Sequence, residues 1–69
     1  MRTDKPRSLR GARGLRQEDV HKIVGLSLNA YRQKELGNTR WYFDEIEVLA
    51  KFYGVSISEF TDLNKEENR

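Results

Sequence analysis

The residues best suited to chemistry lie in one stretch, RQEDVHKIVGLSLNAYRQKELGNTR, from Arg16 to Arg40. It reads as two short helices joined by a turn at Gly25, Leu26 and Ser27. On the second helix, roughly Leu28 to Leu36, a rotation of about 100° per residue sorts the side chains. Leu28, Asn29, Arg32 and Gln33 share one face, and Ala30, Tyr31 and Lys34 lie on the other. Amides, a guanidinium and an alkyl group are the groups that read base edges in a major groove. Asn and Gln pair bidentately with adenine, Arg with guanine O6 and N7, and an apolar group meets the thymine methyl. Plainer alternatives stand beside this. Amides also decorate any solvated helix, Arg32 could meet a phosphate, and a leucine at a helix tip can anchor a protein interface. Arg13, Arg16, Lys22, Thr39 and Arg40 are phosphate candidates around the helix, though each taken singly is an ordinary solvated side chain. If five phosphates are neutralised, log K should fall with log salt at a slope of roughly −4 to −5.

Other chemistries find little to work with. His21 is the single histidine and has no cysteine or acidic cluster at ligand spacing, so neither a metal site nor a general base is expected. Ser27, Ser56 and Ser58 stand at or near helix starts, where a hydroxyl caps rather than attacks. No enzyme activity, cofactor or metal is expected. The absence of cysteine suits a reducing cytosol. No apolar run approaches the roughly 20 residues that span a bilayer. MRTDKPRSLR is basic but has no apolar segment behind it, so no secretory signal or membrane partner is expected.

Charge is unevenly spread. The net charge is only +2, but residues 1–40 hold ten Lys/Arg against four Asp/Glu, and residues 41–69 hold three against seven. That is +6 followed by −4. A basic half around the helix pair suits a polyanion, and the acidic half forms its back. A highly charged surface could also segregate this way by accident.

The elements that must position these groups follow from pattern and punctuation. At 69 residues the chain makes one small domain, which buries only roughly 60% of its unfolded surface. Gly14, Gly25, Gly37 and Gly54 separate helical stretches, and no stretch alternates convincingly as a strand. Five short helices are expected. The first runs from about Lys5 to Arg13, capped by Thr3 or Asp4, with Leu9 and Ala12 inward. The second runs from about Gln17 to Val24, with Val20 and Val24 buried and Arg16 at an N-cap position that usually prefers Ser, Thr, Asp or Asn. The third follows Ser27, a good cap. Trp41, Tyr42 and Phe43 form an aromatic cluster assigned to the core. It leads into a fourth helix whose stripe is Phe43, Ile46, Leu49, Ala50 and Tyr53. Val48 and Phe52 lie off that stripe, as the edge of the core or as a dimer contact. A fifth helix opens at Ser56 with a capping-box pattern and offers Ile57, Phe60 and Leu63 to the core. Residues 1–63 form the domain, and residues 64–69 a polar tail expected to fray.

With these elements placed, a resemblance can be stated. It rests on Leu9-Arg10, Gly14-Leu15-x-Gln17-Glu18-Asp19-Val20, Val24-Gly25-Leu26-Ser27, Tyr31, Lys34-Glu35-x-Gly37, and Leu49-Ala50-x-x-Tyr53-Gly54-Val55-Ser56. In this order and spacing, over roughly residues 7–63, the chain resembles the helix-turn-helix domain of the Cro/CI-type phage repressors, the XRE family. The Tyr31-x-x-Lys34-Glu35-x-Gly37 variant looks like a subset common in small phage and prophage regulators.

The resemblance implies an all-α, compact five-helix, lambda-repressor-like fold. It implies a sequence-specific, double-stranded DNA-binding transcriptional regulator in the bacterial cytoplasm, a Cro-like or repressor-like genetic switch. By position, Arg10 and Glu35 would form a structural ion pair, Gln17 would contact a phosphate, and Leu28, Asn29, Arg32 and Gln33 would reach bases. Family members commonly bind pseudo-palindromic operators as homodimers, with half-sites about 34 Å apart. Two residues depart from the pattern. His21 stands where a small residue is usual, so its ring must tilt outward or displace the packing. Lys34 stands where an apolar residue is usual, its stem expected on the core and its ammonium in water. The alternative function is an antirepressor or antitoxin-type module that forms a hetero-complex with a partner repressor or toxin. Leu28, Leu36 and the low net charge favour it.

Overall fold

The computed structural model describes residues 4–60, which form four α-helices and one short 3-10 turn. They are α1 (Lys5–Ala12), α2 (Gln17–Val24), α3 (Leu28–Leu36) and α4 (Phe43–Tyr53), with the turn at Ile57–Glu59. Thr3 as a cap, Leu63 as a core residue and the polar tail lie outside the described residues.

Local chemistry sets the boundaries of the central pair. The Ser27 hydroxyl accepts from the Ala30 N–H at 3.1 Å and starts α3. Gly25 and Gly37 end α2 and α3 at φ 79° and 86°, a left-handed conformation that costs glycine little. Arg16 does occupy the N-cap of α2, and a guanidinium carries only donors. The acceptor comes from inside the helix instead, because the Asp19 carboxylate takes the Arg16 N–H at 2.8 Å. α4 repeats this device, with Glu45 accepting from the Tyr42 N–H at 2.8 Å. An acid three residues in thus offsets part of the stability lost by a poor cap.

The core comprises Val20, Tyr31, Trp41, Ile46, Leu49, Ala50, Tyr53 and Phe60. Leu9, Leu15, Val24, Leu26, Val55 and Ile57 pack against it. α2 lies against both α3 and α4, which gives the helix pair its fixed base. Tyr31 meets Trp41 edge to face, ring centroids 5.7 Å apart. That contact joins α3 to the start of α4.

Four expectations need correction. The fifth helix is a single 3-10 turn within the described residues. Ser56 accepts from Ser58 N–H, and Glu59, which a capping box would turn back, points instead to Lys5 at 3.7 Å. α1 ends at Ala12, and Ala12 is exposed rather than inward. The buried anchor of α1 is Pro6, at a first-turn position where the missing N–H costs nothing. Of the aromatic cluster only Trp41 is core, since Tyr42 is 63% and Phe43 57% exposed. Tyr42 caps α4 and Phe43 opens it, so both stand at the exposed start of the helix. The fourth correction concerns Lys34, described below.

Candidate nucleic-acid interface

α3 has two unlike flanks. On the inner one, Tyr31 is fully buried and the Glu35 side chain is only 3% exposed. Arg10 of α1 grips Glu35 with two bonds, Nε to Oε2 at 2.8 Å and Nη2 to Oε1 at 3.0 Å. Its remaining Nη1 donates to the Leu15 carbonyl at 2.9 Å. Gln17 Nε2 of α2 donates to Glu35 Oε1 at 3.0 Å. Three helices therefore meet at one carboxylate. Burial by itself pushes the Glu35 carboxyl up. The bonds from Arg10 and Gln17, together with the Arg10 charge, outweigh that and hold it below the ordinary value. The bond to Glu35 raises the Arg10 guanidinium in turn, and burial raises the Tyr31 hydroxyl.

Lys34 belongs to this inner flank completely. Its ammonium does not reach water, and the residue is 7% exposed. Nζ donates to the Arg40 carbonyl at 2.6 Å and lies 3.2 Å from Glu45 Oε1. It also sits 4.5 Å from the Tyr42 ring centroid and 5.9 Å from that of Trp41. A carbonyl, a carboxylate and two aromatic faces replace its hydration. Sequence periodicity put Lys34 on the inward side. Its partners, from the following loop and from α4, could not be read there.

His21 resolves its crowding through the turn. Its Nδ1–H donates to the Leu26 carbonyl at 2.8 Å, so the partly buried ring folds over the α2–α3 connection.

The outer flank carries the four predicted base readers. Asn29 and Arg32 are exposed, while Leu28 and Gln33 are partly buried. Gln33 Oε1 accepts from Asn38 Nδ2 at 2.7 Å, which ties the reading face to the loop after α3. Arg32 Nε donates to Gln17 Oε1 at 3.1 Å. The expected phosphate set divides. Arg16, Lys22, Thr39 and Arg40 are exposed along the edges of the helix pair. Arg13 is engaged elsewhere. Its Nη2 donates to the Tyr53 carbonyl at 2.8 Å, and its guanidinium stacks over the Tyr53 ring at 4.9 Å. A cation at the last carbonyls of α4 is favoured by the helix dipole, and no local pattern around Arg13 foretells it. Gln17 is also committed, its oxygen to Arg32 and one N–H to Glu35. Asn38 is the site neighbour that sequence reasoning missed, since a residue just past a helix end belongs to no face.

Among the described residues no group of three or more His, Cys, Asp or Glu could hold a metal ion, and no helix is long and apolar enough to cross a membrane. No family model matches the chain. No solved structure matches it either. Over 59 residues it is 42% identical to the cryptic phage CTXphi transcriptional repressor RstR of Vibrio cholerae. The likeness is to a phage repressor. It covers 86% of this chain and 53% of the relative, so the chain spans about half the length of the curated protein it matches.

Proposed function

We propose that the chain is a DNA-binding transcriptional regulator of the phage repressor type, reading double-stranded operator DNA with α3 in the major groove. The observation that carries this is the asymmetry of α3. Its inner flank is fastened by Tyr31, Lys34 and Glu35, and Asn29, Arg32 and Gln33 stand together on the other side. A helix held from behind can keep amides and a guanidinium at one angle to base edges. The likeness to a repressor points the same way.

In this reading Leu28, Asn29, Arg32 and Gln33 meet bases. Arg16, Lys22, Thr39, Arg40 and the second N–H of Gln17 meet phosphates, and Arg13 contributes charge while it clamps α4. Two copies pair on a pseudo-palindrome in the bacterial cytoplasm, and Val48 and Phe52, both partly exposed on α4, are the contact we assign to that pairing. The test is a mobility shift on DNA flanking the gene, repeated across salt. Retardation at submicromolar protein is expected, with a log–log salt slope of roughly −4 to −5.

One observation favours a second reading, an interaction module of antirepressor or antitoxin type. Leu36 is 67% exposed and borders an open groove of about 440 Å³ shared with Arg7, Arg16 and Gln17. A chain that retards no DNA fragment below micromolar concentration, yet co-purifies stoichiometrically with a repressor or toxin, would replace the first reading with this one.

A further inference from the structure

The bond between Gln17 and Arg32 crosses from α2 to the reading face of α3 and is not demanded by the fold. Arg32 has one Nε–H, and Gln17 Oε1 takes it at 3.1 Å. Gln17 is itself held, because its Nε2 donates to Glu35 Oε1 at 3.0 Å. Glu35 is fixed in turn by the two bonds from Arg10. The chain Arg10–Glu35–Gln17–Arg32 thus runs from the nearly buried carboxylate to an exposed guanidinium.

We infer that Gln17 is a positioning residue that presents Arg32 end-on to a guanine, making Arg32 the specificity-determining residue for one base pair of each half-site. This rests on the DNA-binding reading above and adds a base identity to it. A guanidinium offers two bidentate edges, one through Nε and one through the paired Nη nitrogens. With Nε occupied, only the Nη1/Nη2 end remains. That end carries donors alone. Guanine presents two acceptors, O6 and N7, in the major groove, whereas adenine sets a donor beside its N7. A free arginine could turn to a phosphate and carry no sequence information. A tethered one loses less rotamer freedom on binding and favours the double acceptor. The second N–H of Gln17 stays available, so positioning does not exclude a phosphate contact.

The experiment selects bound duplexes from a random-sequence DNA pool with the full chain, then with Gln17→Met and Arg32→Met. Methionine keeps the length of glutamine and the alkyl stem of arginine without their hydrogen bonds, whereas lysine at position 32 would still donate to guanine. Folding is checked by circular dichroism at the working temperature. The native chain should enrich one strongly preferred guanine per half-site. Both substitutions should lower that preference on the order of tenfold at the same position and leave the other positions nearly unchanged. Arg32→Met lies outside the core, so the assignment stays testable if Gln17→Met folds poorly. In the free protein the Arg32 Nε–H resonance should move in Gln17→Met. A uniform affinity loss with unaltered base preference, a guanine preference that survives Arg32→Met, or an unmoved Nε–H resonance would overturn the inference while leaving the regulator reading intact. A native chain that enriches no sequence would overturn both.

Discussion

The two flanks of α3 share a backbone and differ in how many of their polar atoms are spoken for. Inward, Glu35 receives Arg10 and Gln17, and Lys34 is enclosed by the Arg40 carbonyl, Glu45 and two aromatic rings. Outward, Asn29 stands exposed, while Arg32 and Gln33 each have one bond to a neighbour and keep further donors. A small domain has little apolar area with which to fix a helix, so charge pairs shielded from water do much of the fastening. Breaking the inner set should cost folding. Breaking the outer set should cost recognition alone.

The largest effect is expected from Glu35→Ala. It strands Arg10, whose side chain is mostly shielded, and removes the acceptor shared by Gln17. A loss of about 3 kcal/mol, at the low end for a broken buried pair because the Arg10 edge still reaches solvent, should appear as a lower thermal midpoint. The same carboxylate sets an acid limb. Its folded pKa lies below the unfolded value of 4.5, so its stabilisation is fully present above that pH and is lost as pH falls through the lower folded value. Urea titrations at a series of pH values should show this limb, and Glu35→Gln should flatten it.

Lys34→Met comes next. It keeps the stem against Trp41 but leaves the Arg40 carbonyl and Glu45 without their cation. A cost of about 1–3 kcal/mol is expected in denaturant unfolding. The loop after α3 should also exchange its amide hydrogens faster. The smallest folding effect belongs to Asn29→Ala, within about 0.5 kcal/mol. If the flanks divide as described, the same substitution weakens binding to a selected duplex by roughly 1–3 kcal/mol. Equal stability losses from Asn29→Ala and Lys34→Met would erase the distinction between the flanks.

Local patterns made much of the frame legible. α2 and α3 run over the residues that periodicity and the Ser27 cap predict, and Ile46, Leu49, Ala50 and Tyr53 form the buried stripe of α4. Apolar spacing and capping act over three or four residues, so one sequence suffices to see them. The misreadings have another origin. Ala12 and Phe43 fit their helix patterns, yet both lie at helix ends where no neighbouring element covers them. Within the described residues the final helix is a single 3-10 turn, and Glu59 lies near Lys5 instead of turning back on its start.

The candidate site divides along the same line. Which residues share the outer face of α3 was a matter of helical rotation, and the chain alone determined it. Where each long polar side chain ends was decided only by the tertiary structure. Arg13 reached Tyr53, Lys34 reached Arg40 and Glu45, and Gln17 joined Arg32 to Glu35. Such side chains have several rotamers of similar energy and take whichever keeps their charges and donors satisfied. Those partners come from elements that are distant in the chain and adjacent only once the helices have packed.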